Sequence, residues 1–151
     1  MSDWLKWTAP VAAVMSIAAP AYAVQYMSVE EAQKTAFPGA SFAEVQAGRV
    51  WKASSGGYFY YDHVVGKHLL IDYTVAIGAD GRVRRVDILN YRESYGGEVH
   101  DANWLAQFVG KSSGSLLKVG GDIRNISGAT LSSEHVTEGV KRILAAYGHA
   151  Q

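Results

Sequence analysis

Leu69-Leu70-Ile71-Asp72-Tyr73-Thr74-Val75-Ala76-Ile77, the link Gly78-Ala79-Asp80-Gly81, and Val83-Arg84-Arg85-Val86-Asp87-Ile88-Leu89 form two β-rich runs around an Asp-Gly pair. The branched and aromatic side chains favour extended backbone, and the glycine supplies the positive φ of a tight reversal, so the two runs read as antiparallel neighbours. Such a ribbon is marginal in water by itself, and the flanking segments must cover it.

On the N-terminal side, Ser28-Val29-Glu30-Glu31 is a capping box with Ser28 as N-cap and Glu31 at N3. It opens a short helix that Pro38-Gly39 stops, with Glu30, Gln33 and Lys34 expected on its exposed face. From Ser41 to about Ala53 the chain alternates, which marks Phe42, Val45, Val50 and Trp51 for burial, until Ser54-Ser55-Gly56-Gly57 breaks it. Tyr58-Phe59-Tyr60-Tyr61, leading into His63, Val64 and Val65, reads as a strand with one buried face. On the C-terminal side a glycine-bearing loop, Asn90 to Val99, precedes a short helix from Asp101 to Phe108. A final helix from about Leu131 to Tyr147 sets Val136, Val140, Ile143, Leu144 and Tyr147 on one face. Central strands with helices at both ends predict an α+β fold, an antiparallel sheet with a short N-terminal helix and a C-terminal helix packed against it. The Leu69 to Leu89 hairpin is expected to lie under that last helix.

The chain has 151 residues, room for one ordinary domain. Its 14 Lys and Arg balance 14 Asp and Glu, which gives no general attraction for nucleic acid. The absence of cysteine excludes disulfides, iron–sulfur clusters, CxxCH haem attachment and thiol nucleophiles. The histidines show no HExxH or i, i+4 spacing, so no metal site is expected. Ser133 and His135 lack the GxSxG elbow of a hydrolase, and no catalytic residue is assigned.

Residues 1–23, MSDWLKWTAPVAAVMSIAAPAYA, have Lys6 in a short polar start, an apolar run and the small-x-small ending Ala21-Tyr22-Ala23. This predicts a secretory signal peptide cleaved after Ala23, with a mature domain over 24–151 in the periplasm or otherwise exported. The alternative is an uncleaved membrane anchor extended by Trp4 and Trp7.

Ile126-Ser127-Gly128-Ala129-Thr130-Leu131-Ser132-Ser133 is a small-residue turn that brings hydroxyls to a helix start. Free backbone N–H groups there favour an anion such as a phosphate, and the plainer reading is that Ser127 or Thr130 caps the helix. Ser-Gly-Ala-Thr followed by Leu-Ser-Ser resembles the flavinylation motif of the FMN-binding domain family. That family includes the periplasmic flavoprotein subunits of the Rnf and sodium-pumping NADH:quinone reductase complexes and small exported carriers. The strand pair, the Arg92-Glu93-Ser94-Tyr95-Gly96-Gly97 loop and the Trp104-Leu105-x-x-Phe108-x-Gly110-Lys111 stretch follow the family's order, so the likeness spans about Leu69 to Tyr147.

The resemblance implies FMN joined covalently through a phosphoester to Thr130, installed by a separate FAD:protein FMN transferase that releases AMP. It implies further that Gly128 and Ala129 keep the approach open, that Leu131 adjoins the ester, and that Ser127 and Ser132 bond the phosphate. The Glu93, Tyr95, Gly96 and Gly97 loop would approach the isoalloxazine, with Tyr95 stacking on it. Lys111 and Lys118 are further candidates for phosphate or ring contact. Arg124 stands where the family often has an acid, and Asp122 is the nearest carboxylate. Three function classes follow: an electron carrier serving membrane or soluble redox partners, a binding module for another ligand or non-covalent FMN, and a flavin-dependent enzyme. The first agrees best with the motif.

Overall fold

The computed structural model describes residues 23–94 and 96–149. The expected signal peptide therefore falls outside the described residues apart from Ala23, as does Tyr95. Among the described residues six strands form one antiparallel sheet: β1 (Val24–Gln25), β2 (Phe42–Gln46), β3 (Val50–Ala53), β4 (Tyr58–Val65), β5 (Leu70–Ile77) and β6 (Val83–Tyr91). Their spatial order is β1-β6-β5-β4-β3-β2, so β2 to β6 form a meander and β1 closes the β6 edge. Helix α1 (Val29–Ala36) lies on one face. The other face carries a 3-10 turn (Gly97–His100), α2 (Ala102–Leu105), a second 3-10 turn (Ala106–Phe108) and the long helix α3 (Thr130–His149).

The predicted α+β architecture is present. The capping box forms as expected, with Glu31 N–H donating to Ser28 Oγ at 3.1 Å and Ser28 N–H to the Glu31 carboxylate at 2.7 Å. Gln33 was expected outside but is 9% exposed. Ala32 and Ala36, lacking bulk, bring α1 so close to the sheet that its neighbouring position is covered too. The Ser41 to Ala53 segment is two strands, and Val45 sits at an edge-strand bulge that turns it outward to 61% exposure. On β4 both faces are covered: Phe59 joins the α1 side and Tyr60 the α3 side.

The hairpin forms with the predicted reversal, Gly81 at φ 78° and Asp80 Oδ1 accepting from Arg82 N–H at 3.1 Å. Its second strand runs through Asn90 and Tyr91 instead of ending at Leu89. An irregularity in the β5–β6 register between Asp72 and Tyr73 leaves Leu89 unpaired, so Leu89 and Asn90 both face α1 and Tyr91 returns to the α3 face. Helix α3 starts one residue earlier than predicted and lies over β5 together with β4, whereas β6 is covered by the short helices. The predicted apolar stripe of α3 is buried from Val136 to Tyr147.

The position of α3 is set by Tyr73 and Gly139. A Cβ at Gly139 would stand 2.3 Å from the Tyr73 hydroxyl oxygen and 2.8 Å from Cζ, so the helix rests directly on that ring. Burial and the adjacent Asp62 push the Tyr73 phenol far above its usual range, and it stays protonated to donate to Asp62 Oδ2 at 3.0 Å. Arg142 of α3 reaches the same oxygen at 2.8 Å, and Arg49 reaches Oδ1 at 3.0 Å. On the opposite face Arg92 grips Asp72 with two hydrogen bonds of 3.0 and 2.7 Å.

Two outcomes follow. Gly139→Ala should lose roughly 1 to 3 kcal/mol by overpacking, more than the helix propensity gained. Chemical denaturation will measure it, and combining it with Tyr73→Phe should recover part of the loss; an alanine variant as stable as the parent would place α3 farther from the sheet. Burial raises the Asp62 and Asp72 carboxyls, but Arg142, the His63 backbone N–H and Tyr73 on the first, and Arg92, Asn90 and Tyr61 on the second, hold both below the usual range. Their contribution is present above the unfolded pKa of about 3.9 and lost as pH falls through the folded value. Urea midpoints should therefore drop below about pH 4, less steeply in Asp62→Asn.

Candidate functional site

The chain reaches α3 along a segment fastened to the short helices. Trp104 Nε1 donates to the Arg124 carbonyl at 2.8 Å, and Arg124 N–H donates to Gln107 Oε1 at 2.8 Å. Asp122 accepts from the backbone N–H of Leu117 and Lys118 and pairs with Lys111 Nζ at 3.2 Å. Slight burial opposes these contacts, which hold its carboxyl down to about 2. Asp122 and Lys111 thus serve this segment, while Lys118 contributes a backbone N–H to it.

Beyond it, Ala129 N–H closes a turn onto the Ile126 carbonyl at 2.9 Å, with Gly128 at φ 81°. The Ala129 carbonyl accepts the first helical bond, from Ser133 N–H at 3.0 Å, so Ala129 is the N-cap and Thr130 is the first helical residue. An alanine at the cap has no side-chain acceptor for the first-turn N–H groups. Thr130 is exposed, whereas Ser132 and Ser133 are buried. Ser132 Oγ lies 3.2 Å from the Tyr91 hydroxyl, and Ser133 Oγ donates back to the Ala129 carbonyl at 2.9 Å.

The loop after β6 rides on this helix start. Gly96 has φ 82°, and a Cβ there would come within 2.5 Å of the Tyr91 hydroxyl, 3.1 Å of Ser132 Oγ and 3.3 Å of Ala129 Cβ. Only glycine fits both demands. Glu93 turns the other way: its carboxylate accepts the backbone N–H groups of Lys67, His68 and Leu69, with 2.9 Å to Lys67 and 2.6 Å to Leu69. Burial would raise the Glu93 carboxyl, and these donors hold it below its usual range. His135 of α3 meets the same β4–β5 turn through Nδ1, which faces the Val65 and Gly66 carbonyls.

Between the turn, the loop and the helix start lies a cleft of about 660 Å³, lined by Lys67, His68, Leu69, Glu93, Ser94, Gly96, Gly128, Ala129, Leu131 and Ser132. A second hollow of about 480 Å³ continues past Gly96 and Gly128 and takes in Gly97, Glu98, His100, Asp101 and Ser127. The motif and the loop, separate in sequence, are thus brought together, with Glu93, Gly96, Gly128, Ala129, Leu131 and Ser132 on the larger cleft and Gly97 and Ser127 on the smaller. Lys67, His68 and Leu69 escaped sequence reasoning. The signal was topological: in an antiparallel meander the β4–β5 turn stands at the sheet end where β6 finishes, as the Ile71 to Tyr91 pairing records.

The cleft has the volume of an ordinary cofactor site. Exposed Leu69 and Leu131 suit a flat ring, and the uncapped N–H groups at Thr130 suit its phosphate. These residues fit FMN. No curated protein matches the chain. The family model described as FMN-binding domain matches residues 66–145, just over half of the chain, running from the β4–β5 turn into α3. The chain belongs to the FMN-binding domain family, and its ligand is FMN.

Proposed function

We propose that this domain is an exported electron-transfer flavoprotein in which FMN is held by a phosphoester to Thr130. One observation carries the reading: Thr130 is exposed at the first position of a helix capped by an alanine, between Ala129 and Leu131, which line a cleft of flavin size. Buried Ser132 and Ser133 have hydroxyls engaged by Tyr91 and the Ala129 carbonyl, which leaves Thr130 the exposed hydroxyl-bearing residue of the first helical turn. A threonine hydroxyl is a poor nucleophile without a positioned base, so attachment falls to a separate FAD:protein FMN transferase. In that transfer Thr130 Oγ1 bonds to the FMN phosphorus of FAD, the bond to AMP breaks, AMP leaves, and the hydroxyl proton passes to the transferase.

Bound FMN supplies reversible uptake and release of electrons. The chain's own part is to anchor the phosphate at the start of α3, to hold the ring between the helix and the β4–β5 turn, and to leave an edge open to membrane or soluble redox partners. The polar start, apolar run and Ala21-Tyr22-Ala23 ending of the first 23 residues support export. Val24 is the first residue of β1, so a chain processed after Ala23 keeps every element of the described residues.

Thr130→Val keeps the branched shape and removes the hydroxyl. Coexpressed with a transferase, it should carry no covalent flavin while its stability changes by no more than about 0.5 kcal/mol. Trypsin releases Asn125 to Lys141 as one peptide, whose fragment masses should put the flavin on Thr130 in the wild type and on the serine in Thr130→Ser. Flavin on Ser127, Ser132 or Ser133, or flavin persisting in Thr130→Val, would sink the assignment. N-terminal sequencing of exported protein should begin at Val24; a chain starting at Met1 in the membrane fraction would establish an anchor instead.

A further inference from the structure

The β4–β5 turn is held from both sides. Gly66 N–H bonds to the Leu69 carbonyl at 2.8 Å, and the N–H groups of Lys67, His68 and Leu69 all go to the Glu93 carboxylate. The carbonyls of Val65 and Gly66 face His135. With the N–H groups of the turn so engaged, its conformation is fixed, and Lys67, His68 and Leu69 are all exposed on the cleft.

Glu93 also lies on the segment that fixes the other wall. Two residues before it, Tyr91 meets Ser132 of α3; three residues after it, Gly96 packs on Ala129. Tyr91, Glu93 and Gly96, close in sequence, therefore tie the turn on one side of the cleft to the start of α3 on the other. Leu69 on the turn and Leu131 on the helix are 37% and 46% exposed, apolar surface on opposite walls that a flat ring would cover.

We infer that Glu93 is a positioning residue for the flavin: by gathering the three turn N–H groups it fixes the wall that sets Lys67, His68 and Leu69 against the ring. The inference rests on the flavin occupying this cleft and deepens that reading. Lys67 is the cation of that wall. Reduction adds negative charge to the ring, and an ammonium group beside it favours the reduced form. Glutamine at 93 keeps the length of the side chain but replaces a charged two-oxygen acceptor with a single neutral one, too little for three donors.

The test compares wild type, Glu93→Gln and Lys67→Met, all made with a transferase and read per bound flavin. Intact mass gives occupancy, electrochemical titration the midpoint potential, and emission the packing of the ring. Glu93→Gln should show brighter flavin emission and a shifted potential, and Lys67→Met a more negative potential. A Glu93→Gln protein that melts earlier yet keeps the wild-type emission and potential would reduce Glu93 to a structural clamp and overturn the inference. If Glu93→Gln does not fold, Lys67→Met decides, since an unchanged potential there overturns it as well. A wild-type mass without flavin would count against the Thr130 attachment alone. Free FMN then serves as the probe, and Glu93→Gln should bind it roughly tenfold more weakly than wild type. Equal dissociation constants, or no binding by wild type, would overturn the inference.

Discussion

The Tyr73 ring lying against the bare backbone of Gly139 sets the distance between α3 and the sheet, and the cleft depends on that distance. No larger residue fits in the helix there. The Tyr73 hydroxyl, instead of being stranded under a helix, is taken up by Asp62, and Asp62 is in turn met by Arg142 from α3 itself. The contact is thus both a steric stop and a polar anchor. With α3 seated on β4 and β5 in this way, its first turn arrives beside the end of β6, where Tyr91 and Gly96 receive it.

Much of the fold was legible because it rests on local rules. The Asp-Gly reversal, the Ser28 capping box and the apolar stripe of α3 each follow from backbone preference or periodicity over a few residues, and each forms as read. The misreadings share a different cause. Gln33 is buried because two alanines let α1 approach the sheet, and Val45 is exposed because a bulge rotates it outward. Strand β6 outran its predicted end because Leu89 and Asn90 share a face, which breaks the alternation that sequence reading follows. Bulges and helix seating are properties of pairs of elements, and neither is written in one segment.

The site divides the same way. The motif around Thr130 and the glycine loop were visible as residue types suited to a helix-start anion and a close backbone approach. Their meeting across Gly96 was not visible, since it needs the bulge to bring Tyr91 onto the α3 face. Glu93 looked like a cofactor contact, and the structure shows its carboxylate engaged by the backbone of a turn more than twenty residues earlier in the chain. Lys111, a candidate for phosphate or ring contact, is paired with Asp122. The cation on the cleft is Lys67, brought there by the order of the strands.

The meander has a kinetic consequence. From β2 to β6 every strand pairs with its neighbour in the chain, so most of the sheet closes through hairpins whose loops are short and whose closure entropy is small. The distant contacts fall to β1 on the β6 edge, to α1, and to the last helix, whose Arg142 meets Asp62 across 80 positions. All six strands of the sheet precede α3 in the chain. The helix that bears Thr130 packs on strands that pair through short loops without it, so the geometry around Thr130 depends on the sheet while the sheet's own pairing does not depend on that helix.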